Sequence, residues 1–375
     1  MKTIPFFDYP GIYKRFENDF VDIFKEVCSR GSFILQKDLE DFEHDLCKFL
    51  NVKHAFGVAD GTNAMVLGLI ASNIKPQDEI IIASHTYIAT AAAIKAVNAI
   101  PVFADIGNDG MMLATSAEKA ITNKTVAVMP TQLNGRCCDM DKINAIAKKN
   151  NLKVFEDSAQ GLGAKFDDKS AGTFGMFGTF SFYPAKLLGC FGDGGAVVTN
   201  DDEIAEKIYL LRDHGRNKQG EVVAWGTNSR LDNLQAAFLN FRLKHFSQDI
   251  KRRREIANQY DAAFQNNPNI YPPPGPDKNL KHFDVYQNYE IAFERRNSLK
   301  SYLSDKGIGT IIQWAGSPVH HFKNLGYGIN DFHNLKQTDW FFERCLMLPM
   351  HMGLTDEQIK YIIENVLEFY KSNEK

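Results

Sequence analysis

Residues 179–201 read TFSFYPAKLLGCFGDGGAVVTND: an aromatic strand-like pattern, one lysine, a run of glycines, then a second apolar strand-like pattern. Around Lys186 stand Phe180, Phe182, Tyr183, Leu187, Leu188 and Phe191, with Gly189, Gly192, Gly194 and Gly195 close behind. An ammonium ordinarily stays hydrated, so a lysine among apolar groups needs a reason. Its charge can snorkel out past the aromatics, or the side chain can be held dry so that the neutral, nucleophilic amine is favoured. The glycines lack GxGxxG spacing and precede a strand pattern, which argues against a dinucleotide loop.

Outward from this segment, strand and helix patterns alternate. AFGVA (55–59), EIIIAS (79–84), IPVFADI (100–106), TVAVMP (125–130) and LKVFED (152–157) read as strands. ATAAAIKAVNA (89–99), MDKINAIAKKNN (140–151) and DEIAEKIYLLRDHG (202–215) read as helices, the last ending at its glycine. Such alternation predicts an α/β fold, a mostly parallel sheet covered on both faces. From Leu231 one long helix runs to Phe264, and NIYPPPGP (269–276) then breaks the chain. A strand (VYQNYEIAF, 285–293), a helix (SLKSYLSDKG, 298–307) and a closing amphipathic helix (355–372) follow. The chain is expected to divide into a large domain, 1–245, and a smaller C-terminal α+β domain, 246–375.

The formal net charge of -3 over 375 residues gives no bulk attraction to nucleic acid or anionic membrane. No apolar run approaches a membrane span, and MKTIPFFDYPGIY lacks the basic-then-apolar order of a signal peptide. The six cysteines are scattered without a CxxC pair, which predicts reduced thiols and a cytoplasmic protein. His214, His320, His321 and the Cys137–Cys138 pair show no metal-ligand spacing, so no metal is expected.

Ligands of open α/β sheets bind beyond the carboxyl ends of the strands. That rule gathers Asp157 and Gln160, His85 and Tyr87, Gln132, and Ser181 with Lys186 at one edge. ADGTNAM (59–65) adds Gly61 and Thr62 at a helix start, where backbone amides can cradle a phosphate. Capping fits Thr62 and Asn63 equally well. In combination, a dry lysine, a carboxylate, a phosphate cradle and the aromatic Tyr87 match the needs of pyridoxal 5'-phosphate (PLP).

FEDSAQGLGA, FSFYPAKLLGCFGDGGAVVTND, GTNSRLDNLQAA and ADGTNAM together resemble the DegT/DnrJ/EryC1/StrS aminotransferases, over nearly the whole chain. The resemblance implies fold type I, with a mostly parallel seven-stranded sheet, and amination of a nucleotide-linked keto sugar by L-glutamate. It implies that Lys186 binds PLP covalently, Asp157 faces the pyridine nitrogen and Gln160 the phenolic oxygen. Gly61, Thr62 and Ser181 would hold the phosphate, Tyr87 would stack on the ring, and Asn228 would reach the phosphate of a neighbouring subunit in a homodimer with shared sites. Gln36, Gln132 and Asn134 depart from the family's frequent glycine, histidine and tyrosine. QWAGSPVHHF replaces a more usual segment and leaves His320 as the nearest match to its final histidine. His85, Gln132 and His320 are the candidates for substrate contact, and EDSAQ leans toward 3-keto sugars. The products of such enzymes feed surface polysaccharide, glycan or antibiotic glycoside assembly. A related sugar dehydratase carries histidine at the lysine position. A PLP-binding regulator would need an added DNA-binding module, and a nicotinamide sugar dehydrogenase would need GxGxxG.

Overall fold

A computed structural model describes residues 3–275, 281–325 and 334–371. Nine strands precede the long helix: β1 (His54–Val58), β2 (Glu79–Ala83), β3 (Ile100–Ala104), β4 (Thr125–Val128), β5 (Lys153–Asp157), β6 (Lys165–Phe166), β7 (Lys169–Ser170), β8 (Phe177–Ser181) and β9 (Gly195–Thr199). Seven form one sheet in the order β1-β9-β8-β5-β4-β2-β3. Only β9 runs against the others, antiparallel to both β1 and β8. The expected mostly parallel seven-stranded sheet is therefore present.

Side-chain alternation explains why both faces are covered. Ile80 and Ile82 of β2 enter one apolar core, while Ile81 and Ala83 enter another on the opposite face. Helices Gly61–Ala71 and Ile88–Ala96 supply Leu67, Leu69, Ala91 and Ile94 to the first core. Helix Lys37–Leu50 places Leu39, Phe42, Leu46 and Leu50 in the second.

The long helix spans Asn233–Phe264. Its Leu239, Phe246 and Ile250 pack on the large sheet, whereas Ile256, Ala257, Tyr260 and Phe264 join a third core. That core covers a small antiparallel sheet of β10 (Ile270–Tyr271), β12 (Tyr289–Phe293) and β13 (Cys345–Leu348), while β11 (His282–Phe283) pairs with β6 instead. Ile4 also lies in this third core, so the N-terminal segment packs with the C-terminal elements.

Two element boundaries differ from expectation. The helix read to Gly215 ends at Leu211, because Arg212 turns inward to Glu43 and the Gly57 carbonyl. The strand read from Val285 begins at Tyr289, because Tyr286 adopts φ 54°, outside extended backbone, and the chain bends at Gln287. The closing helix is Asp356–Lys371; Ser372, like Pro276 of the proline run, lies outside the described residues. All six cysteines are free thiols, and no described helix is long and apolar enough to cross a membrane.

Candidate active site

The ends of β1, β2, β4, β5 and β8 open onto a cavity of about 570 Å³. Gly61, Thr62, Tyr87, Asp157, Gln160, Ser181 and Lys186 line it together, as do Thr86, Thr131, Tyr183 and Trp314.

Lys186 sits in a tight turn, its N–H donating to the Tyr183 carbonyl at 2.8 Å. Gln287 clamps that turn by accepting from Leu187 N–H at 2.6 Å and donating to the Ala185 carbonyl at 2.8 Å. Arg242 adds donors to the carbonyls of Gly189 and Leu187, at 2.6 and 3.0 Å. The amine borders open cavity and is only half-buried, yet surrounding protein strips enough hydration to pull its pKa down to about 8. Asp157, whose negative charge opposes that shift, is the weaker influence. Desolvation therefore wins, and a useful fraction of neutral amine exists near neutral pH.

Asp157 ends β5 and is 3 % exposed. Burial raises its pKa, against the opposing pull of the Thr90 hydroxyl, the Ala159 amide and Lys186. Thr90 Oγ1 donates to Asp157 Oδ2 at 2.6 Å, and Ala159 N–H to Oδ1 at 3.1 Å. Because the one hydroxyl proton of Thr90 goes to the carboxylate, Thr90 must accept from Thr86 at 2.7 Å, and Thr86 from Thr131 at 2.8 Å. This directed chain holds the carboxylate toward the cavity. A dry carboxylate with few partners favours a cationic group beside it.

At the cradle, Asp60 caps the helix Gly61–Ala71 and accepts from Asn63 N–H at 2.8 Å. A Cβ on Gly61 would lie 2.9 Å from Ser181 Cβ, so glycine lets the serine approach the helix start. Gly195 lies beneath the same turn, where a Cβ would meet Asp60 C and O at 2.4 Å. Of the glycines after Lys186, Gly195 thus serves close backbone packing under the cradle. Tyr87 presents a ring that is 55 % exposed to the cavity, with the Trp314 ring centred 6.1 Å away. Gln160 Oε1 accepts from Asn134 N–H at 2.9 Å.

The three substrate candidates do not reach this cavity. Thr131 faces it, so the next side chain, Gln132, points to the other face, donating to Glu156 at 2.7 Å and accepting from Cys138 N–H at 2.7 Å. His85 is sealed between the Gly110 carbonyl at 2.8 Å and Glu290 at 3.1 Å. His320 lies against Ser84 Oγ at 2.7 Å and Asp339 at 3.1 Å. Asn228 lies outside its own chain's cavity, on an exposed segment shared with Val222, Val223 and Trp225, the last 97 % exposed. Thr90, Thr131 and Trp314 were missed; the only sequence signal was a lone hydroxyl, Thr90, in an alanine-rich helix.

Sheet order and site together define the aminotransferase class. A model of the DegT/DnrJ/EryC1/StrS aminotransferase family matches residues 14–367, and the chain belongs to this family. It is 35 % identical over 368 residues to the dTDP-3-amino-3,4,6-trideoxy-alpha-D-glucose transaminase of Streptomyces venezuelae, covering 98 % of this chain and 96 % of that protein. It is 34 % identical over 375 residues to a "Pleiotropic regulatory protein" of Geobacillus stearothermophilus, covering 98 % and 99 %. The crystal structure of S. venezuelae DesV superposes with a TM-score of 0.93 at 35 % identity, over 98 % of this chain and 99 % of that one. NtdA from Bacillus subtilis, solved with bound cofactor PMP, gives 0.89 at 28 % identity, over 99 % and 86 %.

Proposed function

We propose that this aminotransferase uses PLP to move the amino group of an amino acid, L-glutamate, onto the ketone of a nucleotide-linked keto-deoxysugar. The product is an amino sugar for surface polysaccharide or glycan assembly. The observation that carries the reading is Lys186, an amine with a pKa of about 8 in one cavity with a buried carboxylate and a glycine-threonine helix start. Relatives named as transaminases of dTDP- and UDP-linked sugars support the substrate class.

The residues present fit the cofactor: the Gly61 cradle admits a phosphate, and under-solvated Asp157 suits a protonated ring nitrogen. Lys186 would bind it covalently, Gly61, Thr62 and Ser181 would take the phosphate, and Tyr87 and Gln160 the ring. Bound there, the cofactor supplies an electron sink for the donor's α-carbon. Lys186 Nζ, with its amine free, would be the base that moves the proton at that carbon. Asp157, held by the Thr90 hydroxyl, would supply the negative charge beside the ring nitrogen.

The working unit is a homodimer in which Asn228 serves the partner's site. Its exposed position beside Val222, Val223 and Trp225, an apolar strip in water, supports that assembly. The testing experiment incubates enzyme, [15N]glutamate and a panel of nucleotide keto sugars, with mass and NMR analysis of products. A 15N-labelled amino sugar from at least one substrate is expected; none from any 3- or 4-keto sugar overturns the assignment.

A further inference from the structure

Away from the cofactor cavity, two imidazoles and a carboxylate converge where the turn Val319–His321 packs on the helix Lys336–Arg344. Asp339 Oδ1 lies 3.1 Å from His320 Nε2 and 2.9 Å from His321 Nε2. All three ligand-capable atoms fall within 4.8 Å of one another. In a tetrahedral site with metal–N and metal–O bonds near 2.0–2.2 Å, neighbouring ligand atoms stand about 3.3 Å apart. Both measured separations are within about 0.5 Å of that edge. Two of the three donor separations are thus already near the spacing an ion needs, and the third is no more than 4.8 Å.

The surroundings add the outer contacts that metal-binding histidines use. Ser84 Oγ lies 2.7 Å from His320 Nδ1 and accepts from His320 N–H at 3.1 Å, which fixes the ring with Nε2 turned to Asp339. A hydroxyl can donate to Nδ1 or accept from it, so Ser84 supports either tautomer, including the one with Nε2 free to ligate. The His321 ring is centred 4.4 Å from that of His320 at 66°, so consecutive side chains aim at one oxygen instead of splaying apart. Asp105 accepts from Thr338 N–H at 2.8 Å, so a second carboxylate anchors the residue that precedes Asp339. His321 and Asp339 are half-exposed, with side-chain exposures of 46 % and 43 %, which leaves an entry path and room for water ligands.

We propose that His320, His321 and Asp339 form a binding site for one divalent late transition-metal cation of the Zn²⁺ type, completed by water. Two imidazoles and one carboxylate select Zn²⁺, Co²⁺ or Ni²⁺ over Mg²⁺ and Ca²⁺, which prefer all-oxygen sets. Adjacent histidines alone carry no metal spacing; Asp339 completes the set only through the fold. The site sits behind the cavity wall. Helix Lys336–Arg344 also carries Phe341 and Phe342, whose rings lie 5.0 and 5.2 Å from His85, and Phe342 lies 6.2 Å from the cavity residue Trp314. An ion there ties that helix to the turn and braces the wall from outside.

The test titrates Zn²⁺ into untagged, chelator-treated full-length protein by calorimetry, with Co²⁺ as a visible-absorbance probe. The variants are His321→Ala and Asp339→Asn, each checked for native circular dichroism. Wild type is expected to bind one Zn²⁺ per chain, with Mg²⁺ and Ca²⁺ unable to compete. Each variant should bind at least tenfold more weakly, and Zn²⁺ should raise the thermal midpoint of wild type alone. Should Asp339→Asn fail to fold, His321→Ala decides, because it leaves the His320–Asp339 pair intact. No saturable Zn²⁺ equivalent in wild type, or one retained at full affinity in His321→Ala, overturns the proposal.

Discussion

Gly195→Ala isolates the packing under the phosphate cradle. Gly195 pairs with Val58 of β1 and Ser181 of β8, so it sits between the two strands that deliver the cradle. Its φ is not in the left-handed region, and alanine is barred there by space alone. The new Cβ would stand 2.4 Å from Asp60 C and O and 2.8 Å from Gly61 N, all backbone atoms that no rotamer change can move. Carbon contacts are comfortable at about 3.5–4.0 Å, so the turn must retreat by roughly 1 Å. Overpacking of this kind costs about 1–3 kcal/mol of folding stability. Displacing one amide from an anion loses about 1.5–3 kcal/mol, or about 10- to 150-fold in cofactor affinity. Urea unfolding and PLP titration of cofactor-free protein measure both. Gly192→Ala is the control, since its Cβ would meet nothing closer than Gln235 Nε2 at 3.4 Å. Affinity within about twofold of wild type, with stability unchanged, would refute the view that Gly195 serves the cradle.

Thr90→Val keeps the volume but removes the hydroxyl that stabilises ionised Asp157, so burial pushes that carboxyl's pKa up further. PLP affinity of the variant should then fall away from wild type as pH drops, and parallel binding curves across pH would contradict this. Cofactor capture by Lys186 needs the neutral amine, so its rate should climb about tenfold per pH unit and level off near pH 8. A plateau reached only near the ordinary 10.5 would show a hydrated lysine. Mixing Lys186→Ala with Asn228→Ala chains should restore activity, because a mixed dimer with shared sites has one site free of both changes. No recovery despite demonstrated subunit exchange would assign Asn228 to its own chain.

Much of the seven-stranded sheet was legible because each parallel strand is a short apolar run closed by a polar group. EIIIAS, TVAVMP and LKVFED each end where a cavity residue stands, and Asp157 and Lys186 could be placed at one edge from that alone. The helix Lys37–Leu50 went unassigned although Leu39, Phe42, Leu46 and Leu50 mark one of its faces. Gln132 misled because the strand-end rule places a residue at the edge without saying which face it takes; Thr131 took the cavity. Tyr286 leaves extended backbone so that Gln287 can clamp the lysine turn, a long-range demand that no local pattern announces. Trp314 has positive φ, 45°, and enters the cavity wall from a segment whose sequence signalled only departure from the family.

The central claim is that Lys186 carries the cofactor covalently. Borohydride reduction of the PLP-loaded protein, then digestion and mass spectrometry, tests it most directly. A pyridoxyl-phosphate mass is expected on the peptide containing Lys186, with loss of both that mass and transamination in Lys186→Ala. An adduct on a different lysine, or turnover of Lys186→Ala within about tenfold of wild type, a barrier change of only about 1.4 kcal/mol, would contradict it.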